Sequence, residues 1–125
     1  MTIQLNHTIV WSRDAKSAAA FLARILGLPA PGQLYHFHVV ATANGVSLDF
    51  ADKEGEITPQ HYAFLIGEED FDAIFARVTA EGLTYWADPA RQEENRINTW
   101  SGGRGFYFEG PDRHFYEVLT RPYAN

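Results

Sequence analysis

QHYAFLIGEEDFDAIFARVTAEGL, residues 60–83, changes its hydrophobic period once, and the position of that change sets the fold. From His61 to Ile66, apolar and β-favouring residues run together as a strand. From Glu68 onward, Phe71, Ile74, Phe75 and Val78 recur at helical spacing on one face. Glu68, Glu69 and Asp70 occupy the first helical turn, where the backbone dipole favours negative charge. Gly82 is placed to close the helix in a left-handed cap. The same pattern stands earlier in the chain. LNHTIVWSRDAKSAAAFLARILGL (5–28) is a β-rich run followed by a helical one, with Ala18, Phe21, Leu22 and Ile25 on one face and Gly27 as the cap. Gly27 follows His7 by 20 residues and Gly82 follows His61 by 21, so the two histidines hold equivalent places in a repeated unit.

Further strands follow each helix. In the first half they fall within LYHFHVVATANGVSLDF (34–50), folded at an Asn44-Gly45 turn. In the second they are LTYWADP (83–89) and FYFEGPDRHFYEVLT (106–120), the latter a strand, a turn and a strand. Each half therefore reads β-α-β-β-β and ends on an acid between apolar neighbours, Leu48-Asp49-Phe50 and Tyr116-Glu117-Val118. The expected class is α+β, with module one at about 1–55, module two at about 56–125 and a polar linker ADKEGEITP (51–59), together one domain over 1–125. RQEENRINTWSGG (91–103) is a long polar loop of the kind that forms lids, and it is the candidate rim of a site.

Composition narrows the function classes. A formal net charge of −6 argues against a nucleic-acid partner, which calls for a basic surface. Cysteine is absent, so a transition metal would have to use His, Asp or Glu. No apolar run approaches the roughly 20 residues of a membrane span, and no secretory leader pattern opens the sequence, so a cytoplasmic protein without a membrane partner is expected. With 46% hydrophobic residues the chain can bury a core of its own.

Alternation along the strands places His7, Ile9 and Trp11 on one face, and His61, Ala63 and Leu65 on the equivalent one. Asp49 shares a face with Ser47, and Glu117 with Phe115 and Leu119. An ionised carboxylate in the middle of a β-run is costly unless it faces water or holds a cation. Two imidazoles and one or two carboxylates on a concave face suit a divalent ion such as Ni, Zn, Mn, Fe or Co, so His7, His61, Glu117 and Asp49 are the candidate metal ligands. Each has a plainer reading alone: His7 as a surface histidine, Asp49 as a turn residue accepting backbone bonds. Their matched repeat positions weigh against it. His36 and His38 alternate with apolar residues and are read as strand-face histidines; His114 is read as capping the Pro111-Asp112-Arg113 turn. Trp11, Phe37, Trp86 and Trp100 are candidate pocket walls, and Arg104 a candidate contact for an anionic substrate group.

The repeated unit, the LNHTIVWSRDAKSAAAFLARILGL opening, HYAFLI in mid-chain and GRGFYFEGPDRHFYEV near the end resemble the vicinal-oxygen-chelate superfamily, which includes glyoxalase I, extradiol dioxygenases, fosfomycin-resistance enzymes and bleomycin-resistance proteins. The usual closing turn is Asp-Pro-Asp-Gly-His; here Gly110 stands at the first acidic place and Arg113 at the glycine, which implies a modified or strained turn. The resemblance implies strands curling into a partly open mixed-sheet barrel around the metal, with helices outside and His7, His61 and Glu117 as ligands. Asp49 lies where glyoxalase I carries a longer, metal-ligating glutamate. Ile9 stands where fosfomycin-resistance enzymes carry a hydroxyl residue. Bleomycin-resistance proteins lack the ligands. The resemblance therefore implies a metal-dependent enzyme acting on a small substrate with adjacent oxygens, a homodimer, with Asp49 or Glu117 as catalytic proton carrier. A lyase or isomerase is the first expectation, an extradiol-type dioxygenase the second, and a non-catalytic module sequestering an aromatic ligand or antibiotic between Trp11, Phe37 and Trp100 the third.

Overall fold

The computed structural model describes residues 1–123, so the last two residues of the expected domain lie outside the described residues. The chain divides into two compact units, Met1–Thr58 and Pro59–Asn125. In the first, β1 (His7–Ser12) leads to α1 (Ala15–Leu26), then β2 (Gly32–Leu34), β3 (Phe37–Ala41) and β4 (Ser47–Asp52). The sheet order is β1-β4-β3-β2, with β1 parallel to β4 and the other pairs antiparallel. The second repeats the plan with β5 (His61–Leu65), α2 (Glu68–Ala80), β6 (Tyr85–Trp86), β7 (Gly105–Glu109) and β8 (Phe115–Leu119), in the order β5-β8-β7-β6. The chain is α+β, built of two βαβββ units whose mixed sheets stay open, neither closing on itself.

Both helices start and stop where local chemistry directs. Asp14 caps α1, accepting from the Ser17 backbone N–H at 3.2 Å and its hydroxyl at 2.9 Å. Gly27 then turns left-handed (φ 70°), and Leu28 N–H reaches back to the Ala23 carbonyl at 2.9 Å. Ala15, Ala18, Ala19, Leu22 and Ile25 are buried and small enough on average to let α1 lie close over Val10, Val40 and Phe50, which are also buried. α2 has no side-chain cap and relies on its three acids against the dipole. Gly82 (φ 68°) and the Leu83 N–H to Val78 carbonyl bond close it. Phe71 and Phe75 pack edge-on against Phe106 at 5.5 and 5.7 Å, so the second core is an aromatic one.

Three stretches depart from the sequence expectation. The run 34–50 is not one strand pair: Tyr35 adopts φ 54° in a tight turn between β2 and β3, so His36 sits in that turn and not on a strand face, while His38 is in β3. β4 continues to Asp52, into the expected linker, where Asp52 Oδ1 accepts from the Ala15 N–H at 2.8 Å and ties the strand to the start of α1. The 91–103 loop is tied down at several points. Asp88 accepts from the Gln92 and Glu93 N–H groups at 3.0 and 2.8 Å, buried Asn98 donates to the Ala87 carbonyl at 2.8 Å, and Asn98 exchanges both backbone bonds with Gly105. The closing turn is strained as expected, for Asp112 and Arg113 both stand at positive φ, 63° and 65°.

Candidate functional site

Strand register decides which side chains meet. β5 pairs with β8 so that His61 lies opposite Phe115 and Ala63 opposite Glu117. β7 pairs with β8 so that Tyr107 lies opposite Glu117 and Glu109 opposite Phe115. Because faces alternate along each strand, His61, Phe115, Glu117 and Tyr107 project from one face of the second sheet. Helix-facing Tyr62 and Tyr116 take the other, where burial pushes both phenols' pKa up.

On that face Glu117 is 3% exposed, and among the described residues no lysine or arginine pairs with it. Its Oε1 stands 3.0 Å from His61 Nε2. Its Oε2 accepts from the Tyr123 hydroxyl, which lies 3.4 Å from the Tyr107 hydroxyl. Burial, and then the Glu117 charge, push the Tyr107 pKa well above that of a free phenol, so the hydroxyl keeps its proton and acts as a donor. The imidazole is clamped between strand and ring: its Nδ1 is 2.9 Å from the Phe115 carbonyl, and Tyr107 stacks beside it with centroids 5.8 Å apart.

Proton accounting at His61 identifies what this pair lacks. A backbone carbonyl only accepts, so Nδ1 carries the hydrogen and a neutral ring presents a lone pair at Nε2. That lone pair faces a carboxylate oxygen, which also only accepts. A cation between or beside them, a proton or a metal ion, resolves the conflict. His7 repeats the arrangement in the first unit: its Nδ1 is 2.7 Å from the Asn6 side-chain carbonyl, which leaves Nε2 with the lone pair. His114 is the opposite case. It is 1% exposed, its Nδ1 accepts from the Gln60 N–H at 3.0 Å, which latches the start of β5 to the closing turn, and its backbone N–H caps that turn onto the Pro111 carbonyl at 3.4 Å, as expected.

In the first unit, His7 lies opposite Ser47 and Ile9 opposite Asp49, the register of the second unit repeated. Asp49 is 8% exposed and accepts from the Ser47 hydroxyl at 2.9 Å. Ile9 and Trp11 stand exposed on the His7 side of β1, and Phe37 is half-buried on β3. Among the described residues, no three His, Asp or Glu side chains are gathered into an ion-holding group. The preassembled donors are the His61–Glu117 pair. Their chemistry, a nitrogen lone pair beside a buried anionic oxygen with its outer partners in place, fits a divalent ion.

The rest of the face is aromatic. Trp100, half in solvent, meets Tyr107 at 6.3 Å and Tyr123 at 6.0 Å. Tyr107 stacks on Phe115 at 5.4 Å, and Trp86 lies 5.8 Å from Phe115. Arg91, at the start of the expected rim, holds its guanidinium 4.2 Å over Phe115 and 4.9 Å over Trp86. Arg104 is occupied elsewhere: it pairs with Glu68 at 2.7 Å and Asp72 at 2.9 Å and lies over Phe71, bracing α2, so reaching a substrate anion would mean giving up both carboxylates. Sequence reasoning missed Tyr107, Tyr123 and Arg91. Tyr107 had a signal, because a hairpin turning at Asp112 sets 107 opposite 117.

The family model for the Glyoxalase/Bleomycin resistance protein/Dioxygenase superfamily matches residues 4–118. The chain belongs to that superfamily. Among curated proteins, the glutathione transferase FosA of Serratia marcescens is 29% identical over 125 residues, covering 94% of this chain and 81% of that protein. Among solved structures, oxidase ChaP-H2 is 57% identical with a TM-score of 0.97 over 100% of this chain and 98% of that one. Oxidase ChaP-H1 is 51% identical, also at 0.97, over 99% and 100%. The fosfomycin resistance protein FosX of Listeria monocytogenes, 23% identical at a TM-score of 0.70 over 100% and 96%, shares the fold. These superfamily relatives include enzymes of several reactions, so reaction type has to come from this chain's own site.

Proposed function

We propose that this superfamily member is a metal-dependent oxidase acting on a small, flat substrate with two adjacent oxygens, the ion being held by His61 and Glu117. One observation supports the metal above all others: the lone-pair side of His61 stands 3.0 Å from buried Glu117, which no lysine or arginine among the described residues pairs with. The reaction class draws on the full-length likeness to two oxidases. It replaces the lyase or isomerase expected first. A bound Fe or Mn would supply Lewis acidity toward the paired oxygens and a route for electrons to dioxygen. In balance, the substrate loses two electrons and two protons and dioxygen becomes hydrogen peroxide; where one oxygen atom instead enters the substrate, the substrate supplies four electrons in all and the other atom leaves as water with two substrate protons.

The chain's own groups would do the rest. Trp100, Phe115 and Trp86 offer flat apolar surface to a conjugated ring. Tyr107, a neutral donor beside Glu117, would hydrogen-bond a substrate oxygen as it gains negative charge. Asp49, buried and tethered by Ser47, would be the first unit's proton carrier, a role that favours the lyase or isomerase reading as the second choice. The chain would work as a homodimer, for which the exposed apolar Ile3, Leu5 and Leu34 offer surface, and sedimentation should give twice the mass of one chain. A single-chain mass at micromolar concentration would remove that part.

The test is oxygen uptake by protein loaded anaerobically with Fe(II) or Mn(II), then given aerated catechol and hydroxyquinone probes. Uptake that requires both metal and probe, and disappears in His61→Ala, is expected. A loaded protein that consumes no oxygen across the panel, yet isomerises or binds a probe, would overturn the oxidase reading.

A further inference from the structure

Glu117 has two carboxylate oxygens, and they have different partners. Oε1 faces His61 Nε2 at 3.0 Å, and Oε2 accepts from the hydroxyl of Tyr123, a residue beyond the last strand. The Tyr123 ring rests against Trp100 at 6.0 Å, and its oxygen is 3.4 Å from the Tyr107 hydroxyl. Rotation about the last torsion of a glutamate is soft and two-fold, so an untethered carboxylate is free to offer an ion either oxygen or both. A hydroxyl fixed on one oxygen removes that freedom.

We propose that Tyr123 is a positioning residue for Glu117: its hydroxyl holds Oε2, so that the carboxylate turns Oε1 alone toward an ion shared with His61. The inference rests on the reading that His61 and Glu117 are ligands, and it goes beyond it in making the ligand single-toothed and the chain's last described segment part of the centre. Packing does not explain the residue. Tyr123 is 44% exposed and comes from no strand or helix, so what it adds to the fold is chiefly the bond to a buried anion. Outer partners of this kind commonly set metal affinity, because they orient the ligand before the ion arrives.

The experiment compares wild type with Tyr123→Phe, which keeps the ring against Trp100 and removes only the hydroxyl. Metal-free protein is titrated calorimetrically with Mn(II), and its Co(II) adduct is recorded in the visible range. Wild type should take one Mn(II) per chain. Tyr123→Phe should melt within about 2 °C of wild type and bind Mn(II) roughly 10- to 100-fold more weakly. Its Co(II) bands should weaken as the second oxygen enters the coordination sphere. A variant with wild-type Mn(II) affinity and an unchanged Co(II) spectrum would overturn the positioning role while leaving the ligands standing. Wild type that takes up neither ion would instead remove the ligand reading, and the proposal with it.

Discussion

Glu117 carries a charge into a place where packing alone would put a leucine. It is 3% exposed, between buried Tyr116 and Val118, and its neighbours are one imidazole and hydroxyl groups. In metal-free protein Glu117→Gln keeps an acceptor for Tyr123 and removes the buried charge, so urea unfolding should show a gain of about 1 kcal/mol with metal uptake lost. A loss of more than about 2 kcal/mol would mean that the carboxylate holds the fold together. Arg113 gives a second test. It sits left-handed, its side chain is mostly exposed, and its ion pair to Glu109 is 3.7 Å long. Arg113→Gly should add about 1 kcal/mol, read as a raised melting temperature; no change would mean the turn is relaxed. At this scale His7, His61, Asp49 and Glu117 stood out in the sequence as candidates because a repeat doubled each signal. Tyr123 lies past the last periodic residue, where no pattern announces a contact. Arg104 was misleading, since its glycine-flanked position reads as a loop while Glu68 and Asp72 claim it from a helix distant in sequence.

At the scale of elements, the two helices were legible because their apolar faces repeat at helical spacing and glycine closes both. The β2–β3 turn was not, since Tyr35 carries no turn chemistry, yet the two-residue loop between paired Leu34 and Phe37 sets it at φ 54°. The 91–103 loop reads as polar and open from sequence, yet Asp88 and Asn98 pin it through backbone bonds that composition does not reveal. The junction of α2 with β7 and β8 invites a pH test. Bonds from the Thr120 hydroxyl and then from Arg104 lower the Glu68 pKa below its ordinary 4.5. Because the folded value is the depressed one, the contribution is full above pH 4.5 and is lost as pH falls through the folded value. Wild type should therefore melt above Glu68→Gln near neutrality, and the gap should close in acid. A gap that persists unchanged at pH 3 would assign the effect to shape, not charge.

For the whole molecule, duplication is the organising fact: each unit sets its histidine at the head of one strand and its acid two residues into the parallel neighbour, His7 with Asp49 and His61 with Glu117. That much follows from hydrophobic period and strand parity. Reaction type does not, because the superfamily's fold carries many chemistries, and Tyr107 and the aromatic residues beside it come together only through register and loop path. The central claim, that His61 and Glu117 are ligands of a divalent ion, is tested most directly by equilibrium dialysis against Mn(II) followed by elemental analysis. Wild type is expected to retain one ion per chain, and the His61→Ala and Glu117→Gln proteins less than about a tenth of that. Wild type that emerges metal-free, or variants that retain the full equivalent, would contradict it.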